Sequence, residues 1–328
     1  MVNIKDVAKI ANLSVATVSR YLNQNGYVSK RSSERIEQAI QELDYKPSSV
    51  ARSLSKKKSN IIGLIVPDIK NPYFPELARA VEDMAWSYGY TVVLCNSDEQ
   101  IEKELLYIER LSQTYVAGLI VTTSLMDPSV YMSINTPIVA LDRIIDVTIP
   151  TVATDNRKGA MLGTEYLLTN GAENLLCIRG PQGLKTADDR LLGFLEAIDG
   201  QGQDPIVIAT SFDFKEAAKV IEQTLVIHPH IDGIFASSDT LAIAALHIAH
   251  KLGKRVPEEL QIVGFDGISL GEMVSPALTT VGQDLYKMGA AAATMLIEQI
   301  EGKEMKQTVL NIDAQLIVRG TTRKEAAK

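Results

Sequence analysis

Four apolar runs in this chain of 328 residues end in side chains suited to holding hydroxyl groups. "IIGLIV" is followed by "PDIKNPYF", "PIVAL" by "DR", "GIFAS" by "SD" and "QIVGF" by "DG". Carboxylates, amides and guanidinium groups match the donors and acceptors of a hydroxyl, and aromatic rings cover apolar C–H faces. That combination is the chemistry of a site for something small and neutral, such as a sugar. Each side chain also has an ordinary structural use: aromatics fill cores, an exposed Asp-Arg pair is worth little, and an aspartate after a strand caps turns. Their recurrence after several runs is what points to a site.

A second chemistry is carried by charge. The net charge is −7, yet residues 1–60 hold 11 Lys or Arg against 5 Asp or Glu, and the remainder holds 22 against 35. A small basic head on an acidic body suits a polyanion partner for the head alone. In "NIKDVAKIANLSVATVSRYLNQ", Ile4, Val7, Ala8 and Ala11, then Val15, Val18 and Leu22, follow a helical spacing interrupted by "NLS". Ser14 is placed to cap the second helix, and Ser32 or Ser33 a third that carries Ile36, Ala39, Ile40 and Leu43 on one face. Two short helices joined by a tight turn, with a positive balance, read as a helix-turn-helix whose second helix enters the major groove of DNA. Val15 and Ala16 then suit thymine methyls and Arg20 a guanine or phosphate, while Thr17, Ser19 and Asn23 suit phosphates.

Positioning the hydroxyl-binding set falls to the rest of the chain. "IIGLIV", "TVVLC", "AGLIV" and "PIVAL", then "NLLCI", "PIVIA", "GIFAS" and "QIVGF", alternate with helical stretches, which predicts parallel sheets with helical crossovers. Eight runs in two sets of four predict two Rossmann-like subdomains. Ligands of such sheets bind outside the carboxyl ends of the strands, where the first set of residues falls. The length also exceeds the ~100–200 residues of one domain. A mean hydropathy of +0.04 is that of a soluble protein. No apolar run approaches the roughly 18 residues of a membrane span, and the start lacks the apolar stretch of a signal peptide. A cytoplasmic protein with no membrane partner is expected. Cys95 and Cys177 lie inside strand-like runs, as buried thiols do.

Enzyme chemistry finds little footing. "GISLG" matches a nucleophile elbow, but His228, His230, His247 and His250 all precede Ser269, opposite to the order that fold requires. The four histidines have no Cys or acidic cluster at ligand spacing, and no phosphate-binding glycine loop follows any run. No catalytic residue, metal or cofactor is expected.

"IKDVAKIANLSVATVSRYLN" followed by "LDYKPSSVARSLS" closely resembles the head of the lac repressor (LacI/GalR) family, and the match continues along essentially the whole chain. The resemblance implies a helix-turn-helix head at 1–46 and a hinge helix and linker at 47–59. It also implies a type I periplasmic-binding-protein-like core at 60–328, whose first subdomain spans about 60–160 and 286–322 and whose second spans about 161–285. The chain would cross between the subdomains three times. Two hinge helices would pair in the minor groove of a pseudopalindromic operator, with Leu54 wedged between base pairs and Ala51 and Arg52 beside it. Alone, a helix of about eight residues falls short of the roughly 12–15 needed for stability in water, so the hinge would be a conditional helix. "SSVARSLSKKK" has that character.

Within the family the resemblance is to ribose-type repressors, through "NGYVSK", "RGPQGLKTADDR" and "RGTTRKE". Similarity to periplasmic ribose-binding proteins implies Asn71 as a hydroxyl partner, Tyr73 and Phe74 as ring walls, and Asp142 with Arg143 as paired ligands. It places Arg190 and Phe212 on the opposite lobe and adds Asp266 and Gln283. Ser238 departs from the asparagine of that pattern and retains one hydrogen bond on a shorter side chain. The implied function is a homodimeric repressor whose cleft takes a pentose, ribose in particular. The absence of a leucine heptad after Arg319 argues for a dimer rather than a tetramer. The alternatives are a repressor answering to another sugar or a sugar phosphate, a sugar receptor that does not bind DNA, and a sugar enzyme.

Overall fold

The computed structural model describes residues 2–46, 59–123, 126–200, 202, 204–305 and 307–323. The hinge segment, with Ala51, Arg52 and Leu54, lies outside the described residues.

In the head, α1 (Ile4–Ala11) begins where the Asn3 side chain accepts from Lys5 N at 2.8 Å and the Asp6 carboxylate accepts from Asn3 N at 2.9 Å. Asn12, at φ 50°, ends it in the left-handed region that favours Asn. Ser14 caps α2 (Val15–Asn23), its Oγ accepting from Thr17 N at 3.1 Å. The third helix, α3 (Lys30–Glu42), is capped by Ser29, which accepts from Ser32 N; the expected caps Ser32 and Ser33 lie inside the helix. Helices of 8 and 9 residues do not persist alone in water, so packing must hold α1 and α2. Val7, Ala8, Ala11, Val18, Ile36 and Ala39 form the buried cluster that does so.

The body contains twelve strands among the described residues, in two six-stranded sheets. The first sheet holds β1 (Ile61–Val66), β2 (Thr91–Asn96), β3 (Gly118–Val121), β4 (Ile138–Leu141), β5 (Thr151–Thr154) and β11 (Val309–Ile312), in the order β11-β5-β4-β3-β1-β2. The second holds β6 (Leu175–Arg179), β7 (Ile206–Ala209), β8 (Gly233–Ala236), β9 (Gln261–Asp266), β10 (Thr279–Gly282) and β12 (Gln315–Ile317), in the order β12-β10-β9-β8-β6-β7. All pairings are parallel except β10 with β12.

The eight expected runs form β1–β4 and β6–β9, two further strands, β5 and β10, were not anticipated, and the expected final strands are β11 and β12. The final strands also part company: β11 joins the first sheet, whereas β12 pairs antiparallel with β10 in the second. Both had been expected in the first subdomain. The polypeptide thus passes between the sheets three times, after β5, after β10 and after β11.

Helices cover both sheets, as two-sided burial of parallel strands requires. In the first lobe α4 (Tyr73–Ser87) follows β1, α5 (Ile101–Gln113) follows β2 and α6 (Pro128–Met132) follows β3. In the second, α7 (Asn156–Thr169) precedes β6, and α8 (Lys185–Ile198), α9 (Phe214–Ile227) and α10 (Asp239–Lys251) connect its strands. The short α11 (Leu270–Met273) follows β9, and α12 (Leu285–Ile300) returns to the first lobe's core with Met288, Ala292 and Leu296. A Cβ at Gly289 would lie 2.7 Å from both Ala80 Cβ and Leu77 O, so glycine lets α12 approach α4. Cys95 and Cys177 are buried free thiols. Among the described residues no helix is long and apolar enough to cross a membrane.

Candidate functional site

Nine of the ten side chains expected at the cleft line one cavity of about 480 Å³, from Asn71, Tyr73, Phe74, Asp142 and Arg143 on one side to Arg190, Phe212, Ser238 and Asp266 on the other. The volume falls in the range of about 300–1,000 Å³ usual for small-ligand sites. Gln283 stands behind the wall, donating from Nε2 to Asp266 Oδ1 at 3.0 Å.

Strand ends deliver the two central carboxylates. Asp142 follows β4 at φ 72° and Asp266 ends β9 at φ 120°, conformations that side chains seldom adopt and that recur at functional sites. Tyr73, the first residue of α4, donates its hydroxyl to Asp142 Oδ1 at 2.7 Å and meets Phe74 edge to face. Arg143 is 5% exposed and reaches Glu99 through Nη2 at 3.3 Å, while its Nε and Nη1 have no hydrogen-bond partner among the described residues.

Across the cleft, Arg190 is fixed on every side. Nε donates to Asn156 Oδ1 at 2.7 Å, Nη1 donates to Ser237 O at 2.5 Å and to Asp266 Oδ1 at 3.0 Å, and the guanidinium lies 3.8 Å from the centre of the Phe265 ring. Burial pushes the Asp266 carboxyl above the ordinary range; Arg190 opposes the shift and Asp142 adds to it. Beneath it, Asp239 accepts from Gly267 N, Ile268 N and the Thr280 hydroxyl at 2.8, 2.9 and 2.5 Å. Its carboxyl is also pushed up, by burial and then by the charge of Asp266. Ser238 caps α10, its Oγ accepting from Leu241 N at 3.3 Å, which leaves the hydroxyl its O–H donor. The Phe212 ring fits against Gly180, where a Cβ would fall 2.4 Å from its Cζ.

Sequence reasoning missed Glu99, Thr186, Ser211, Asp213 and Phe214 in the same wall. Glu99 and Ser211 follow β2 and β7, so applying the strand-end rule to every run would have found them. Asn156 follows β5, "TVAT", a strand whose two threonines hide it among apolar runs.

The lobes also touch outside the cavity. Ile268 is buried in the first lobe's core cluster, and Glu76 Oε1 on α4 accepts from Ser269 N and Oγ at 2.9 and 2.7 Å. The serine of "GISLG" is thus held by a carboxylate from the other lobe.

On the head, Val15, Ala16 and Arg20 are exposed along α2, and Thr17 and Ser19 are half-buried. Asn23 turns back, its Nδ2 donating to Ser19 O at 2.9 Å, which engages the donor a phosphate would need. Tyr27, between α2 and α3, is 89% exposed. An aromatic in the polar turn "NQNGY" was the available signal for it, and it was not read.

Residues 3–48 match the family described as bacterial regulatory proteins, lacI family, and residues 59–319 match periplasmic binding proteins and sugar binding domain of LacI family. The ribose operon repressor of Halalkalibacterium halodurans is 54% identical over 98% of this chain and 98% of its own length. The lac repressor dimer bound to operator and the anti-inducer ONPF aligns with a TM-score of 0.86 at 26% identity, covering 98% of this chain and 99% of that one. A LacI family regulator from Enterococcus faecium with bound ribose aligns with a TM-score of 0.73 at 26% identity, covering 80% of this chain and 98% of that one. With a helix-turn-helix head, a two-lobed α/β body and a match along nearly its whole length, the chain belongs to the LacI family of bacterial regulatory proteins.

Proposed function

We propose that this chain is a cytoplasmic, homodimeric repressor that binds a pseudopalindromic operator and is controlled by a pentose, ribose, held in the cavity between its lobes. The observation that carries the sugar reading is the convergence of Asn71, Asp142, Arg143, Arg190 and Asp266 with Tyr73, Phe74 and Phe212 in the lining of one cavity. Sugar hydroxyls accept from the guanidinium and donate to the carboxylates, while Tyr73, Phe74 and Phe212 cover the ring. The wall carries six carboxylates (Asp68, Asp98, Glu99, Asp142, Asp213 and Asp266) against the three cations Lys70, Arg143 and Arg190. That balance disfavours a sugar phosphate. The chain acts by binding and release, not turnover. On the head, Val15, Ala16 and Arg20 read base edges, and Thr17, Ser19 and Tyr27 meet the backbone.

Sugar binding is coupled to operator affinity by a typical allosteric energy of about 1–3 kcal/mol, or roughly 5- to 150-fold. To test this, duplexes selected by the protein from a random pool are titrated with and without ribose or ribose 5-phosphate. Ribose should weaken operator binding within that range, and Arg190→Ala should retain DNA binding while losing the response. A response to the phosphate alone, or an Arg190→Ala variant released at an unchanged ribose concentration, would count against this cleft.

A further inference from the structure

Tyr73 is 4% exposed, yet it is more than an apolar wall, because its hydroxyl donates to Asp142 Oδ1 at 2.7 Å across 69 positions of sequence. Asp142 Oδ2 has no hydrogen-bond partner among the described residues and belongs to a side chain that lines the cavity. An ionised carboxylate offers two oxygens and about four acceptor positions. The phenol takes one oxygen from a fixed direction. Burial, followed by the charge of Asp142, holds the phenol well above its ordinary range, so it remains a donor. Asp266 on the other lobe is arranged alike, with Oδ1 accepting from Arg190 and Gln283. Asp142 and Asp266 therefore each keep one oxygen without a partner among the described residues.

We infer that Tyr73 is a positioning residue that sets sugar specificity: by donating to Asp142 Oδ1 it fixes the orientation of that carboxylate and leaves Oδ2 as its unengaged oxygen, matched to one orientation of a sugar hydroxyl and mismatched to its epimer. The inference rests on the pentose reading above. Phenylalanine would preserve the ring and free the second oxygen. A water entering the vacated space would be displaceable by a sugar hydroxyl, whereas a phenol tied to the helix is not.

Calorimetric titration of the full chain and its Tyr73→Phe variant with ribose, arabinose and xylose tests this, since the latter two are its epimers at C2 and C3. The unchanged chain should prefer ribose. The variant should lower the preference over at least one epimer by about 3- to 10-fold, the size of one net hydrogen bond. Unchanged preference ratios, or three affinities falling by one common factor, would reduce Tyr73 to a structural role and overturn the inference. A full chain that binds none of the three would overturn the pentose reading and this inference with it.

Discussion

At the cleft Arg190 pairs with Asp266 at 3.0 Å, Gln283 donates to the same carboxylate, the Tyr73 phenol donates to Asp142, and Asp266 feels the charge of Asp142 and acts on that of Asp239. Burial and like-charge neighbours together push Asp266 up to about 6. A folded-state pKa raised above the unfolded one means the folded chain holds the proton more tightly. Its contribution to stability is present below the ordinary carboxylate range and is lost as pH rises through about 6. Ligand binding has the opposite sign, because only the ionised Asp266 accepts from a sugar hydroxyl without competing as a donor. Ribose affinity should therefore weaken as pH falls through about 6, approaching tenfold per pH unit below it, and titration calorimetry across that window checks it. A flat profile would leave Asp266 without a part in binding. At this scale the residue types were legible, because carboxylates after strands stand out in a sequence. Their partners were not: that Ser238 also caps α10 and that Gln283 donates to Asp266 from behind emerge only from the fold.

Strands were legible in proportion to their density of apolar residues. The eight apolar runs that became β1–β4 and β6–β9 are dense in Val, Ile and Leu, as strands buried on both faces are. The missed strands "TVAT" and "TTVG" are as long as β3, β4, β7 and β8, but half of each is threonine, and the final strands "VLNI" and "QLI" were expected only by their place after the last helix. Caps behaved similarly, since Ser29, Ser32 and Ser33 have equal chemistry and only the start of the helix selects among them. Packing between elements can be tested at Gly289, where α12 meets α4. Gly289→Ala gains helix propensity but drives a methyl against backbone at Leu77, and overpacking of this kind costs about 1–3 kcal/mol. A lowered thermal midpoint for the variant is expected; an unchanged or raised one would mean the helix pair has room to part.

For the whole molecule, function requires that a cleft in the body influence a head that carries the DNA contacts. Within the body, Asp266 at the cavity lies two residues from Ile268, which is buried in the first lobe's core, and three from Ser269, which Glu76 holds. A ligand that moves Asp266 thus acts directly on the first lobe. The remaining link is the hinge expected at 47–59. There Leu54→Ala should weaken operator binding about tenfold or more, since wedges that unstack a base step trade in a few kcal/mol, while sugar affinity stays unchanged. Gel-shift and calorimetric titrations separate the two, and undiminished operator binding and bending would remove the wedge. Sequence by itself determined the classes: a basic helical head, an acidic body of alternating strands and helices, and the carboxylates and arginines at strand ends. Those are consequences of local composition and short periods along one chain. Tertiary structure alone decided that β12 joins the second sheet, that Asn156 and Ser237 hold Arg190, that Arg143 reaches Glu99 and that Tyr73 engages Asp142. Each depends on which distant groups come within about 3 Å of one another, a matter of three-dimensional packing that no periodicity encodes.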